Sequence, residues 1–186
     1  LHNNTDINIF HVTNWPMKSY IQAYSIPSTR NKDILIIEFI STILTLKSSH
    51  YSKIVSSNDD FMDNFLFIEE KLGNGLFAFV LESDISTDFK KHEKAIVNFI
   101  GDLKKNGIEN SFIKSAIKTQ KIWLLRSQSS SHWMARALGE HEIRQGDYKK
   151  YTENAQLYEK ITNEDIKRVA NQYFINGYKL GIQPNE

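Results

Sequence analysis

The sequence predicts an α+β fold, a mostly antiparallel sheet with helices packed on one of its faces. Three observations carry this. Strand-like runs, rich in aromatic and β-branched residues, stand at Ser19 to Ile26, Leu76 to Leu81 and Tyr178 to Ile182. Several segments between them place apolar residues at helical spacing. The resulting order is strand, helix, strands, several helices, strand, which builds layers around one core. At 186 residues the chain reads as a single domain over 1–186, with no internal repeat, low-complexity tract or linker.

The elements follow in order. Leu1 to Pro16 is polar and ends in the turn-like Asn14-Trp15-Pro16, and Pro27 stops the first strand. Asn31 or Asp33 then caps a helix carrying Ile36, Ile37, Ile40, Ile43 and Leu44, apolar enough to be buried nearly all round. Gly73-Asn74-Gly75 reads as a hairpin turn before the strand Leu76 to Leu81. Ser86-Thr87-Asp88 caps a helix whose inner face is Phe89, Ile96, Val97, Ile100 and Leu103, stopped by Asn106-Gly107.

Asn110 or Ser111 starts the next helix, with Phe112, Ala116, Ile117, Trp123 and Leu124 inward. The serines from Ser127 to Ser131 break the pattern before a helix with Trp133, Met134, Ala137 and Leu138, and Tyr148 to Ile161 is helical again. The sharpest local signal is Thr162 with Asp165 three residues on, an acidic capping box, flanked by Ile161 and Ile166 at hydrophobic-staple positions. Val169, Ala170, Tyr173 and Phe174 extend that face until Asn176-Gly177.

Composition excludes several function classes. Basic and acidic residues number 23 and 22, for a net charge of +1, and no block of like charge marks a nucleic-acid or anionic-membrane surface. The longest apolar run, Ile34 to Leu46, is too short and too interrupted to span a bilayer. Absence of cysteine removes disulfides, thiolate metal sites and cysteine nucleophiles without fixing a compartment; a periplasmic or cytoplasmic, bacterial-type location is the expectation. The chain opens without Met and without a secretory signal, as a processed protein or a fragment would.

No chemistry assembles from the motifs, so catalytic and metal-ligating residues are both expected to be none, and substrate-binding residues are unassigned. A zinc site needs two ligands on one helix face and a third from elsewhere. His92-Glu93 and His141-Glu142 each begin H-E-x-x-H, but the second His positions hold Ile96 and Gln145; the inverted motif ending in Glu140-His141 has Ala137 at its first position. The six histidines therefore read as surface or boundary residues. Ser127 to His132 puts Ser near His without a strained nucleophile turn, and reads as a polar helix entry. Asp59-Asp60 with Asp63 lacks the glycine and final Glu of a calcium loop and reads as solvated. Trp15, Trp123 and Trp133 read as core or boundary anchors.

The segments in sequence resemble the C-terminal domain of the insulinase/pitrilysin family, which includes the mitochondrial processing peptidases. Ser19 to Pro27 is similar to the strand before that family's long helix, and Asp33 to Leu44 to the helix itself. Ser48 to Val55 resembles the following small-residue and "LY..L" segment; Gly75-Leu76-Phe77 opens the next strand in the family's manner. Glu93 to Gly107, Leu138-Gly139 with Gly146-Asp147, and above all Ile161 to Phe174 (ITNEDIKRVANQYF) continue the likeness.

The resemblance implies an insulinase-type C-terminal domain, one part of a longer two-domain half, that forms part of a peptide chamber and clamp. It implies no cofactor here, with zinc held by H-x-x-E-H in the N-terminal catalytic domain of the parent or partner. The implied partners are that catalytic domain or the second half of a clamshell, a peptide substrate, and a homo- or heterodimeric arrangement. Alternatives are a catalytically inactive structural subunit of the same fold, or an unrelated α+β binding module. Many non-catalytic halves carry an Arg and, seven residues on, a Tyr that reach the substrate; those positions fall near Val55 and Met62, and no Arg occurs between Arg30 and Arg126.

Overall fold

Alternation along two central strands decides the architecture. In β2 (Lys18–Ile26) Tyr20, Tyr24 and Ile26 are buried on one face, and in β4 (Gly75–Ser83) Phe77, Phe79 and Leu81 are buried on the same one. The two strands pair antiparallel along their whole length, Lys18 opposite Ser83 and Ile26 opposite Gly75. The computed structural model describes residues 6–46, 50–57 and 59–185.

The remaining strands are β1 (Asn8–Val12), β3 (Phe61–Glu69) and β5 (Tyr178–Pro184), giving a five-stranded sheet of order β1-β5-β2-β4-β3. Every pairing is antiparallel except β1 with β5. The helices are α1 (Ile34–Leu44), α2 (His50–Ser56), α3 (Phe89–Asn106), α4 (Asn110–Gln128), α5 (Ser131–Gln145), α6 (Lys150–Tyr158) and α7 (Asn163–Tyr173). Among them α1, α2, α3 and α7 touch the sheet on the face of Tyr20 and Phe79, while α4 and α6 rest on α1 and hold α5 outside them. The α+β class and the one-sided helix layer agree with expectation.

The core beneath α1, α3 and α7 is aromatic. Phe174 packs on Phe77 and Phe79 with ring centroids 5.0 and 5.6 Å away, and Ile37, Ile40 and Ile96 close the space around them. The α7 sequence explains itself residue by residue. The Thr162 hydroxyl accepts from the Asp165 amide and the Asp165 carboxylate accepts from the Thr162 amide, which closes the capping box. The Asn163 side chain accepts from the Ile108 amide (2.8 Å) and donates to the Asn106 carbonyl (3.1 Å), so the start of α7 caps the end of α3. Gly107 turns away there at φ +70, where a Cβ would lie 2.1 Å from the Asn163 oxygen.

Arg168 reaches across to α1. Its Nη1 and Nη2 donate to the two Asp33 carboxylate oxygens at 3.0 and 2.8 Å, and the Tyr173 hydroxyl adds a third bond at 3.0 Å. Asp33 stands at the N-terminus of α1 as expected, but its side chain makes no capping bond because the guanidinium has taken it. Those bonds from Arg168, first among the causes, hold its carboxyl below the usual carboxylate range.

Four expectations are corrected. The polar opening contains β1, which pairs with β5 from the other end of the chain. Val97 is exposed, one position off the inner face of α3. Trp123 on α4 and Trp133 on α5 are 62% and 52% exposed rather than core anchors; the outer tier lacks a second layer to bury them. His92 is fully buried, not at a boundary. Part of the stretch Ser48 to Val55 lies outside the described residues, as does the Val55 side chain. Its Tyr51 is buried, and the hydroxyl donates to the Val80 carbonyl at 2.7 Å, tying α2 to the sheet.

Candidate functional site

The partial metal and nucleophile motifs of the sequence stay apart. His92 sits among the rings of Tyr20, Phe61 and Phe89. Its Nδ1–H donates to the Asp88 carbonyl (3.2 Å), its Nε2 has no partner, and burial first of all pushes its pKa down. It is a neutral core imidazole. His141 Nδ1–H donates to the Ala137 carbonyl at 2.8 Å, while His132 stacks edge-on against Trp133. Among the described residues no group of three His, Cys, Asp or Glu side chains converges. Asp60 pairs with Lys91 and Asp63 points outward from β3, so the aspartate run forms no loop site.

Ser127 lines a cavity of about 220 Å³ between α4, α5 and α6, together with His141, Tyr151 and Trp123. Its hydroxyl bonds the Leu124 carbonyl at 2.8 Å and contacts the Tyr151 hydroxyl. Its partners are thus a helix carbonyl and a phenol rather than an imidazole base, the contact a nucleophilic serine needs.

One acidic cluster went unseen in the sequence. Glu38 on α1 accepts from the Tyr158 hydroxyl at 3.0 Å and shares a hydrogen bond with Glu70, whose carboxylate accepts from Arg144 Nη1 at 3.2 Å. Burial, then the Glu70 charge, raise the Glu38 carboxyl well above the usual range, so Glu38 keeps the proton and Glu70 pairs with the guanidinium. The cluster joins α1, the β3–β4 turn, α5 and α6. It is a structural clasp, with Thr29 adding a 2.6 Å bond to the Arg144 carbonyl.

The candidate site is the other face of the sheet. Leu76, Ala78 and Val80 of β4 alternate with the core residues and point away from the helices, as do Ile21 and Ala23 of β2. Phe65 and Phe67 of β3 stand opposite Val80 and Ala78, 47% and 48% exposed. On the other side Leu180 and Tyr178 of β5 and Phe10 of β1 complete an apolar trough of about 510 Å³. Trp15 lies at one end, its indole N–H donating to Ser19 at 3.3 Å. No described residue of a helix lines this trough. A face of this kind binds by shape and apolar contact, and a monomer leaves one open mainly where something docks. The signal was present as the unbroken apolar run Leu76 to Leu81, which fits a strand buried on both sides.

No known family's sequence profile matches the chain, and no curated protein matches it in sequence. Solved structures do. A protease from Helicobacter pylori superposes with a TM-score of 0.87 at 22% identity over 96% of this chain. The inactive domain of an M16 peptidase from Pseudomonas fluorescens superposes at 0.81 and 13% identity over 97% of it. The chain spans 44% and 43% of those two proteins' lengths. The inactive peptidase domain of a protein described as a zinc protease, from Bordetella parapertussis, gives 0.81 at 17% identity and is covered over 95% of its length. The chain therefore has the fold of these peptidase domains, and the resemblance read in the sequence agrees with them.

Proposed function

We propose that this chain is the non-catalytic C-terminal domain of an insulinase-family zinc metallopeptidase, one domain of a longer two-domain half. Zinc belongs to the N-terminal catalytic domain of the parent or of a partner half, and this chain supplies wall and clamp to the peptide chamber. The observation that carries the reading is fold likeness over nearly the whole chain to domains described as inactive, in a sequence whose histidines do not pair. The uncovered apolar sheet face supports it, because such a wall offers an extended peptide contact area with little sequence demand. The end strand β3 adds backbone groups on the same side.

Two readings of peptidase assays test this. The purified chain alone should carry no stoichiometric zinc and cleave no casein-derived peptides. Joined to a catalytic domain bearing H-x-x-E-H from the same genome locus, it should raise cleavage at least about tenfold, a change of about 1.4 kcal/mol. Zinc bound by the chain alone, or cleavage by it, would refute the assignment.

A further inference from the structure

The trough has a charged end, and the charge is of one sign. Asp63 of β3 stands directly opposite Glu82 of β4, and both lie on the open face, in step with Phe65–Val80 and Phe67–Ala78. The next strand in that row brings Ser19, opposite Glu82, to which the Trp15 indole is bonded. Among the described residues neither carboxylate has an ion-pair partner: Asp63 accepts only from the amide of Asn64 at 2.7 Å. Like charges directly opposite each other on a strand pair destabilise it, and Glu82 is half-buried as well.

The lysines of the neighbouring strands β2 and β5 are engaged on the helix side, although Lys179 also borders the trough. Lys18 donates to the Thr87 carbonyl (3.1 Å) and covers the Phe89 ring, and Lys179 pairs with Glu93 of α3. Lys18 and Lys179 are thus held on the helix side, and Lys71 is held by Glu69 at the far end of β3, which leaves two carboxylates and an indole together beside an apolar surface. An occupant with a cation at that end would remove the repulsion and gain the aromatic face.

We propose that the open face takes an extended peptide whose apolar side chains fill the trough and whose single basic side chain sits on Asp63 and Glu82. This rests on the chamber reading and gives it a substrate class: chains in which an Arg or Lys adjoins a run of apolar residues. The apolar trough supplies affinity and the carboxylate pair supplies register. Its volume, about 510 Å³, lies within the roughly 300–1,000 Å³ common for ligand sites.

Fluorescence anisotropy on the full chain tests it with end-blocked, dye-labelled octapeptides of Val, Tyr and Phe carrying one Arg, one Gln or one Glu at the same place. The Arg peptide should bind about three- to tenfold tighter than the Gln peptide, the Glu peptide weaker still, and rising salt should narrow the spread. Asp63→Asn with Glu82→Gln should erase the order while leaving the Gln peptide's affinity in place. Phe67→Ser should weaken all three peptides alike. Should the double variant misfold by circular dichroism, Asp63→Asn alone, at an exposed site, must halve the preference or better.

Equal binding of the three peptides, no binding at all, or an order that survives the neutralised pair would overturn the proposal. So would a concentration-dependent dimer, seen by sedimentation and abolished by Phe67→Ser, since a second copy would then be the occupant. The cleavage assay above separates the two ideas. Restored cleavage without charge order removes the substrate class alone; charge order without restored cleavage removes the chamber and keeps the site.

Discussion

The same strands present two faces, and their treatment differs. On one, Phe77, Phe79 and Leu81 meet α1, α3 and α7, and every large ring has a partner. On the other, Leu76, Ala78 and Val80 lie beside Phe65, Phe67, Ile21 and Ala23 of the neighbouring strands, and the outer rings stay half exposed. A strand apolar on both sides belongs to a sheet covered on both sides. Here, among the described residues, one cover is present. The difference teaches that one face stabilises the fold, while the other is the face proposed above to take a peptide.

The sharpest way to break that comparison is to cut matched rings. Phe79 is fully buried and surrounded by Tyr24, Tyr51, Phe99 and Phe174. Phe79→Ala should cost about 3–5 kcal/mol in urea denaturation, the loss of transfer energy plus a cavity that the rigid helices cannot fill. A loss under about 1 kcal/mol would mean the helix layer is no core at all.

Next in size is the clasp between α7 and α1. Asp33→Asn leaves the Arg168 guanidinium without its bidentate anion, and should cost about 1.5–3 kcal/mol, toward the low end because Arg168 is partly exposed. The pH sign follows from the depressed Asp33 carboxyl. The bond contributes fully above the ordinary carboxylate value of about 3.9 and is lost as pH falls through the lower folded value. Melting curves from pH 7 down to 2 should therefore show wild type and variant converging only in acid.

These contacts show what the sequence could and could not tell. The capping box of Thr162 and Asp165, the turn at Gly107 and the strand of Leu76 to Leu81 are local, set by residues a few positions apart. Strand β1 was hidden because it is a five-residue run inside a polar segment, and among the described residues it pairs with β5, at the far end of the chain. Strand β3 was not placed residue by residue, since Asp63 and Asn64 interrupt its apolar alternation at the bulge. Trp123 and Trp133 were misplaced because an aromatic at helical spacing signals a face, not whether anything covers it. The trough and its carboxylate pair depend on register across five strands, which no stretch of sequence states.

The Glu38 clasp tests the helix side from the other direction, since there a group is buried at a cost. A raised carboxyl value in the folded state means a proton held on folding. Its stabilising effect is complete below the ordinary glutamate value of about 4.3 and is lost as pH rises through the folded value. Glu38→Gln keeps the shape and the acceptor for Tyr158 without the charge. It should gain on the order of 1 kcal/mol over wild type in mildly alkaline buffer and little near pH 4. Denaturation midpoints that track each other at all pH values would contradict the protonated pairing with Glu70.

The smallest effect is expected where the comparison is most exposed. Phe67 is 48% exposed on the open face at the end strand β3, bordered by Ala78 of β4 rather than by a helix. Phe67→Ser removes a ring that water already reaches, so stability should change by less than about 1 kcal/mol. Solubility should rise, because the apolar patch shrinks. Peptide binding should fall instead, and that split between stability and binding is what an unfilled docking face requires. A loss as large as that of Phe79→Ala would show that both faces serve the fold, and the trough would then be part of the core.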